Sequence, residues 1–338
     1  MPGSRETGGV AGGAGFTAMP GGAPANVAAC AARLGARSAF IGAVGEDLFG
    51  RLIVDELHAA GVDTSGVVSR SRPAQTSIAF VELAEDGERS FTFYRSSPAA
   101  DELLSARDLR REAFSETAFV CFGSIPLISE TSRSAVREAV RLADESGAGA
   151  VFDVNLRPDL WGSLDAAREE ILPLIGVSSV VKMSEEELEP LLGTGHPEAA
   201  AEAILGEGVS LALVSLGARG AYFATREDAG YVSAPKIDVV DATGAGDAFL
   251  AATLESLSHH RIEDLNESKL REAVERGTVA GALTCTAVGA MTAAPTSDEL
   301  EARRENPPSP PLERESEKPY DASKMGECNK ESDWKGSG

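Results

Sequence analysis

The sequence lacks any cysteine pairing pattern: Cys30, Cys121, Cys285 and Cys328 are scattered along 338 residues with no C-x-x-C spacing. Neither a disulfide framework nor a thiolate zinc site is indicated. Cys30 and Cys121 fall in apolar surroundings, as buried thiols do. Histidine is equally scarce, at His58, His196, His259 and His260, and the adjacent pair follows an apolar helical stretch, which reads as a surface loop and not a metal site. No apolar run approaches the roughly 20 residues of a membrane span, and the first residues lack the basic start and apolar core of a signal segment, so a cytoplasmic protein is expected. Positive charge is also short. Lys and Arg number 31 against 53 Asp and Glu, a formal net charge of −22, which repels nucleic-acid phosphates and anionic membranes over most of the surface. Most of that acidity reads as solubility.

What is present is a sizeable apolar complement. A hydrophobic fraction of 43% in a chain of this length can bury the core of one large α/β domain. Apolar runs at Ala39–Val44, Ala118–Phe122, Ala148–Val154, Ser179–Val181 and Leu211–Ser215 predict buried parallel strands, with helical stretches such as Glu130–Glu145 between them. Alternation of this kind predicts a doubly wound sheet. Thr76–Leu83 and Arg89–Arg95 differ: they flank Asp86-Gly87, a hairpin signal, and alternate more clearly, so a separate small sheet is expected. Phe91, Phe93 and Tyr94 would give it an apolar wall, either over a ligand or packed on the core.

One segment carries chemistry. In Asp241-Ala242-Thr243-Gly244-Ala245-Gly246-Asp247, two glycines allow successive backbone amides to converge on an anion. Leu250, Leu254 and Leu257 lie at i, i+4 and i+7, the stripe of a helix that starts near Gly244 and turns its unpaired amides toward the same point. Asp247 in the first turn is placed to accept the proton of a hydroxyl that attacks a phosphate; as an isolated feature it reads first as a helix cap behind a glycine turn. A second segment, Gly21-Gly22-Ala23-Pro24-Ala25-Asn26, continues to Gly35, Gly42 and Gly45. Pro24 suits a first helical turn and Gly35 a C-terminal cap, with Val27 and Leu34 facing inward. Asn26 then sits near the helix start, free to bind a ligand hydroxyl or the backbone.

The two segments, in this order and at this separation, resemble the PfkB family of carbohydrate kinases, and intervening stretches extend the likeness over residues 16 to 296. Among them are Asp153-Val154-Asn155-Leu156-Arg157-Pro158, Val181-Lys182-Met183-Ser184 to Glu187, and Val214-Ser215-Leu216-Gly217 to Gly220. The wording looks closest to fructokinase, through Gly21–Asn26, Phe93-Tyr94-Arg95 and Asn155–Pro158 with Leu160-Trp161; ribokinases usually carry Lys-Gly where this chain has Ala23-Pro24. The resemblance implies a ribokinase-like three-layer α/β/α fold in which the hairpin at 76–95 is a lid. It implies ATP and Mg²⁺, and K⁺ in many relatives. Asp247 would be the general base and the Gly244, Ala245 and Gly246 backbone the anion hole. Gly22, Asn26 and Arg95 would hold the sugar. Arg157, Lys182, Ser215, Gly217, Gly220, Thr243, Gly244 and Gly246 would face ATP, and Ala280–Gly289 would close the adenine pocket. Glu187 would support Mg²⁺ through water, and Asp241 and Thr243 would offer carbonyls to a monovalent cation. The partners are a small sugar and ATP, and a homodimer sharing the lid is common among relatives.

Three departures bear on these expectations. The family more often has Thr where this chain has Ala242, and Asn where it has Ser184; Ser184 to Glu187 is also a capping box that needs no ligand. Arg157 is equally read as a surface ion pair. Residues 1–15 are Gly-rich and show neither the family's first central strand nor its sugar-binding Asp. The expectation is a start misplaced within a longer chain, with a diverged, non-catalytic scaffold as the alternative; another acceptor, such as 2-keto-3-deoxygluconate, ribose or a nucleoside, is the enzymatic rival. From about residue 297 the Pro-, Glu-, Lys- and Ser-rich sequence predicts a disordered tail.

Overall fold

The computed structural model describes residues 16–83, 89–260 and 262–305. The chain begins with helix α1 (Ala23–Arg33), strand β1 (Ala39–Gly45), helix α2 (Leu48–Ala59) and strand β2 (Asp63–Arg70). Pro24 lies in the first turn of α1, and Val27 and Leu34 are buried. The hairpin follows as β3 (Ile78–Leu83) and β4 (Arg89–Tyr94), antiparallel and paired with no other strand among the described residues. Its Asp86-Gly87 turn lies outside the described residues, as does the side chain of Phe91. Tyr94 packs edge-on against Phe80 at 5.2 Å between ring centroids, and Phe80 in turn meets Phe16 at 5.1 Å.

The main body alternates β5 (Phe119–Gly123), α3 (Glu130–Ser146), β6 (Gly149–Asp153), α4 (Leu164–Ile175), β7 (Val180–Ser184), α5 (Glu185–Leu192), α6 (Pro197–Gly206) and β8 (Leu211–Ser215). The strands β5 to β8 are parallel, and β9 (Ala221–Ala224) and β10 (Ala229–Val232) add an antiparallel edge, giving the order β10-β9-β8-β7-β6-β5. The chain then forms α7 (Ala245–Leu257), α8 (Glu267–Thr284) and α9 (Ser297–Glu305). Strand residues alternate between two cores, as a sheet covered on both faces requires. Val151, Val180 and Leu213 face α1, α7 and α8. Phe152, Val181 and Val214 face α3 to α6, through Val136, Ile171, Leu188 and Ile204. The three-layer α/β/α expectation is met.

The parallel pair β1–β2 forms its own two-stranded sheet, and among the described residues no strand joins it to the six-stranded sheet or precedes α1. Helix α1 serves both sheets: Val27, Cys30 and Leu34 join the core that includes Phe119 and Cys121 of β5, while Ala25, Ala28 and Ala29 pack with Phe40, Leu57 and Val62. The first residues, where the family's initial strand was sought, lie outside the described ones. One boundary requires correction. The tail was expected to begin at residue 297, yet Ser297–Glu305 is helix α9, with Leu300 fully buried. Its polar composition hid a docking role that one leucine and the Arg276–Glu301 and Arg304–Glu272 ion pairs supply. No helix among the described residues is long and apolar enough to cross a membrane.

Candidate active site

Helix α7 starts directly after Gly244, which adopts φ +80° at its N-cap. A Cβ there would lie 2.5 Å from the Cβ of Ala290, so both conformation and space demand glycine. The first intrahelical bond runs from Ala248 N–H to Gly244 O at 2.8 Å; the amides of Gly246 and Asp247 precede it and, by helix geometry, have no acceptor within the helix. The turn is held from behind by Asp241, which is buried. Its Oδ1 accepts from Thr243 N (2.9 Å) and Thr243 Oγ1 (2.6 Å), and its Oδ2 from Gly289 N (3.0 Å). Val240 N also donates to Cys285 O at 2.8 Å. The segment expected to close an adenine pocket therefore anchors the glycine turn.

Asp247 is 9% exposed and accepts a hydrogen bond at Oδ2 from Asn26 Nδ2, 2.7 Å away and 221 residues earlier in the chain. The two sequence segments meet at this bond. The carboxyl pKa is pushed up to about 6, first by burial and then by the charge of Asp153, against the Asn26 hydrogen bond and the positive charges of Lys182 and Arg157. Asn26 Oδ1 is buried with no partner among the described residues, an acceptor left open beside Asp247.

Below the turn lies a pair that sequence reasoning treated only in part. Lys182 of β7 and Asp153 at the end of β6 are register partners on adjacent strands, and Nζ lies 2.9 Å from Asp153 Oδ1. Lys182 was assigned to ATP; its side chain is 6% exposed and its ammonium bonds Asp153. Burial disfavours that ammonium, but Asp153, Glu187 and Asp247 together hold its pKa above the ordinary lysine range. Asp153 was quoted within a motif and given no role. The signal was available: a charge inside an otherwise apolar strand run must find a partner.

Glu187 forms the expected capping box with Ser184. Its Oε2 accepts from Ser184 N at 2.7 Å and its Oε1 from Leu156 N at 2.5 Å, so it braces the loop after β6, where Asn155 takes φ +43°. Burial raises its pKa, against the pull of Lys182 and the two amides. Arg157 adds its charge to the field at Asp247 and donates to the Leu156 carbonyl at 2.9 Å. Gly22 is the N-cap of α1, beside Asn26. Arg95 is bound by Asp101 and by Glu102 (3.3 Å), with its Nε buried and unpaired. Ser215 ends β8, beside Ser184. Gly217 and Gly220 form the turn into β9, and a Cβ on Gly220 would overlap Val232 O at 1.9 Å, a packing reason for glycine that involves no nucleotide.

Among the described residues no three His, Cys, Asp or Glu side chains converge as a metal cage. An ion that arrives on nucleotide phosphates and keeps most of its waters needs none.

Residues 4–297 match the pfkB family carbohydrate kinase. Fructokinase-1 of Oryza sativa subsp. japonica is 42% identical over 286 residues, 84% of this chain and 88% of that protein. The crystal structure of fructokinase from Vibrio cholerae O395, with fructose, ADP and calcium ion bound, superposes with a TM-score of 0.78 at 38% identity, covering 85% of this chain and 92% of that one. Aminoimidazole riboside kinase from Salmonella enterica, complexed with aminoimidazole riboside and an ATP analog, gives 0.77 at 35% identity over 87% and 94% of the two chains. With the fold, the glycine turn and the Asn26–Asp247 contact in place, the chain belongs to the pfkB family of carbohydrate kinases.

Proposed function

We propose that the chain transfers the γ-phosphoryl group of ATP to a hydroxyl of D-fructose, giving fructose 6-phosphate and ADP. The observation that carries this reading is Asp247, buried at the first turn of α7, tied to Asn26 and raised in pKa to about 6. A carboxylate of that basicity is about a hundredfold better as a proton acceptor than an ordinary aspartate and is still ionised at neutral pH.

Oδ2 is held by Asn26, and we assign Oδ1 to receive the hydroxyl proton. The oxygen so released attacks the γ-phosphorus in line, the bond to the bridging oxygen breaks, and ADP leaves with those electrons. The Gly244–Gly246 backbone and the α7 N-terminus stabilise the charge spread over the transferring oxygens. Asn26 Oδ1, Gly22 and Arg95 orient the sugar, which converts an encounter into an aligned attack. Arg157, with Ser215, Gly217 and Gly220 at the strand ends, would border the nucleotide. Mg²⁺, carried on the phosphates and supported through water by Glu187, supplies charge neutralisation when bound; carbonyls of Asp241 and Thr243 would hold a monovalent cation. The hairpin would exclude water from the reacting centre as a lid.

Asp247→Asn should retain the fold and lower turnover by about 10²–10⁴. A coupled ADP-release assay with fructose, ribose, 2-keto-3-deoxygluconate and a nucleoside tests the acceptor; full activity of the variant would reject the base, and a preference for the nucleoside would reject fructose. That second acceptor class is included because a riboside kinase is among the similar structures.

A further inference from the structure

A lysine and an aspartate that are both more than nine-tenths buried need a reason for being charged. As a fastener between β6 and β7, an apolar pair of similar volume would serve as well or better, because the cost of desolvating two ions offsets most of their attraction. The position suggests another use. A Cβ on Gly246 would lie 3.1 Å from Lys182 Nζ, so the ammonium sits directly against the glycine turn, one residue before Asp247. Asp153 and Lys182 lie on the strand face that also carries Val151 and Val180, the face covered by α1 and α7. Asp153 Oδ1 is bonded to Lys182 and its Oδ2 is buried without a partner among the described residues, leaving one oxygen's charge uncompensated by any hydrogen bond.

We propose that Asp153 and Lys182 are positioning residues that act through Asp247, one charge of the pair strengthening it as a base and the other keeping it ionised. The inference rests on the reading of Asp247 as general base. The two influences have opposite sign. Asp153 makes the negative form of Asp247 less favourable and Lys182 makes it more favourable, in a dry site where neither charge is well screened. The other groups facing Asp247 are few. Asn26 donates to it from α1, Arg157 contributes positive charge from the loop after β6, and the Cys30 and Cys121 thiols from α1 and β5 stay neutral because burial raises both. Glu187 of α5 acts on Lys182 in the same direction as Asp153. The pair thus gives the site a way to raise the basicity of Asp247 without protonating it at neutral pH.

The test uses the full chain and four proteins: wild type, Asp153→Asn, Lys182→Met, and the double variant. The Asp247 carboxyl is titrated by ¹³C NMR with labelled aspartate, assigned by its loss in Asp247→Asn, and the acid limb of kcat/KM is recorded in parallel. Asp153→Asn should lower the midpoint by about one pH unit and Lys182→Met should raise it by about one. The double variant, which removes both charges of the pair and so spares Asp153 the loss of its partner that the lysine variant imposes, should fall between them. Displacement in the same direction by both single variants, an unmoved midpoint in Asp153→Asn, or an acid limb of kcat/KM that does not follow the carboxyl overturns the proposal, since a pair that only fastens the strands need not move the pH profile of turnover. Absence of turnover in wild type with the opposite shifts intact would overturn the kinase reading, and with it the catalytic purpose of the pair, while leaving its opposed influence on the Asp247 carboxyl established.

Discussion

Replacing Asp247 by Asn should make the protein more stable at neutral pH while disabling it. In the folded chain the carboxyl pKa is pushed up to about 6 by burial and by Asp153, from 3.8 for an exposed aspartate. The folded state therefore keeps a proton that the unfolded chain has already released between those two values. Stability falls as pH rises through that window and is constant above it. The shift is about 2 units, and at 1.36 kcal/mol per unit the ionised carboxylate costs about 3 kcal/mol at pH 7 to 8. At pH 5, partway through the window, the same linkage gives about half of that. Asparagine carries no charge to desolvate and still accepts the hydrogen bond from Asn26 Nδ2, so it removes the penalty without opening the site. For a chain of this size the gain corresponds to a rise in Tm of about 5 °C at pH 8. Scanning calorimetry of both proteins at pH 5, 6, 7 and 8 measures the difference directly. The reasoning is refuted by a variant no more stable than wild type at pH 8, or by a difference that does not shrink toward pH 5. A gain in stability coupled to a loss of turnover is expected where a buried charge is retained for chemistry.

The remaining predictions concern the frame around that carboxylate. The acid limb of kcat/KM for wild type should have its midpoint near pH 6, where Asp247 gains its proton; a limb near 4 would mean that the base lies elsewhere. Gly244→Ala places a methyl 2.5 Å from Ala290 at a φ of +80°, so about 1–3 kcal/mol of strain is expected, with kcat falling more than urea denaturation accounts for, because the amide array moves. Glu187→Ala strips the amides of Ser184 and Leu156 of their buried acceptor and should destabilise by about 2–5 kcal/mol in the absence of any metal; unchanged denaturation would show that the carboxylate is not the brace described.

Elements that bury a continuous apolar surface were legible in the sequence, because burial on both faces leaves a run that no other constraint produces. Leu211–Ser215 coincides with β8, and Glu130–Glu145 with nearly all of α3. Strand β2, Asp-Thr-Ser-Gly-Val-Val-Ser-Arg, was not called, since it is polar, contains Gly66 and is half-exposed along its length; its pairing with β1 is carried by the backbone. The four-residue strands β9 and β10 fell below the length at which alternation can be distinguished from a turn. In each case tertiary pairing supplied what local pattern could not.

The site divides along the same line. Gly244 and Asp247 were legible because a turn and a helix start are local events, set by residues within four positions of one another. The bond from Asn26 to Asp247 is not local, and nothing within either segment states that its polar group meets the other's. Asn26 was expected to offer its amide to a sugar; the structure gives Nδ2 to Asp247 and leaves Oδ1 without a partner among the described residues, so on the proposed reading one side chain would both orient the base and keep an acceptor for the ligand. Lys182 and Asp153 carry the point further. The family resemblance placed the lysine against ATP. Burial places it against Asp153, 29 residues away in the chain and a neighbour only because β6 and β7 are adjacent and in register. Its positive charge still reaches Asp247, whose pKa it lowers. A charge in the middle of an apolar strand is thus the feature to pursue in related sequences, since the sheet that buries it also decides which partner it must have.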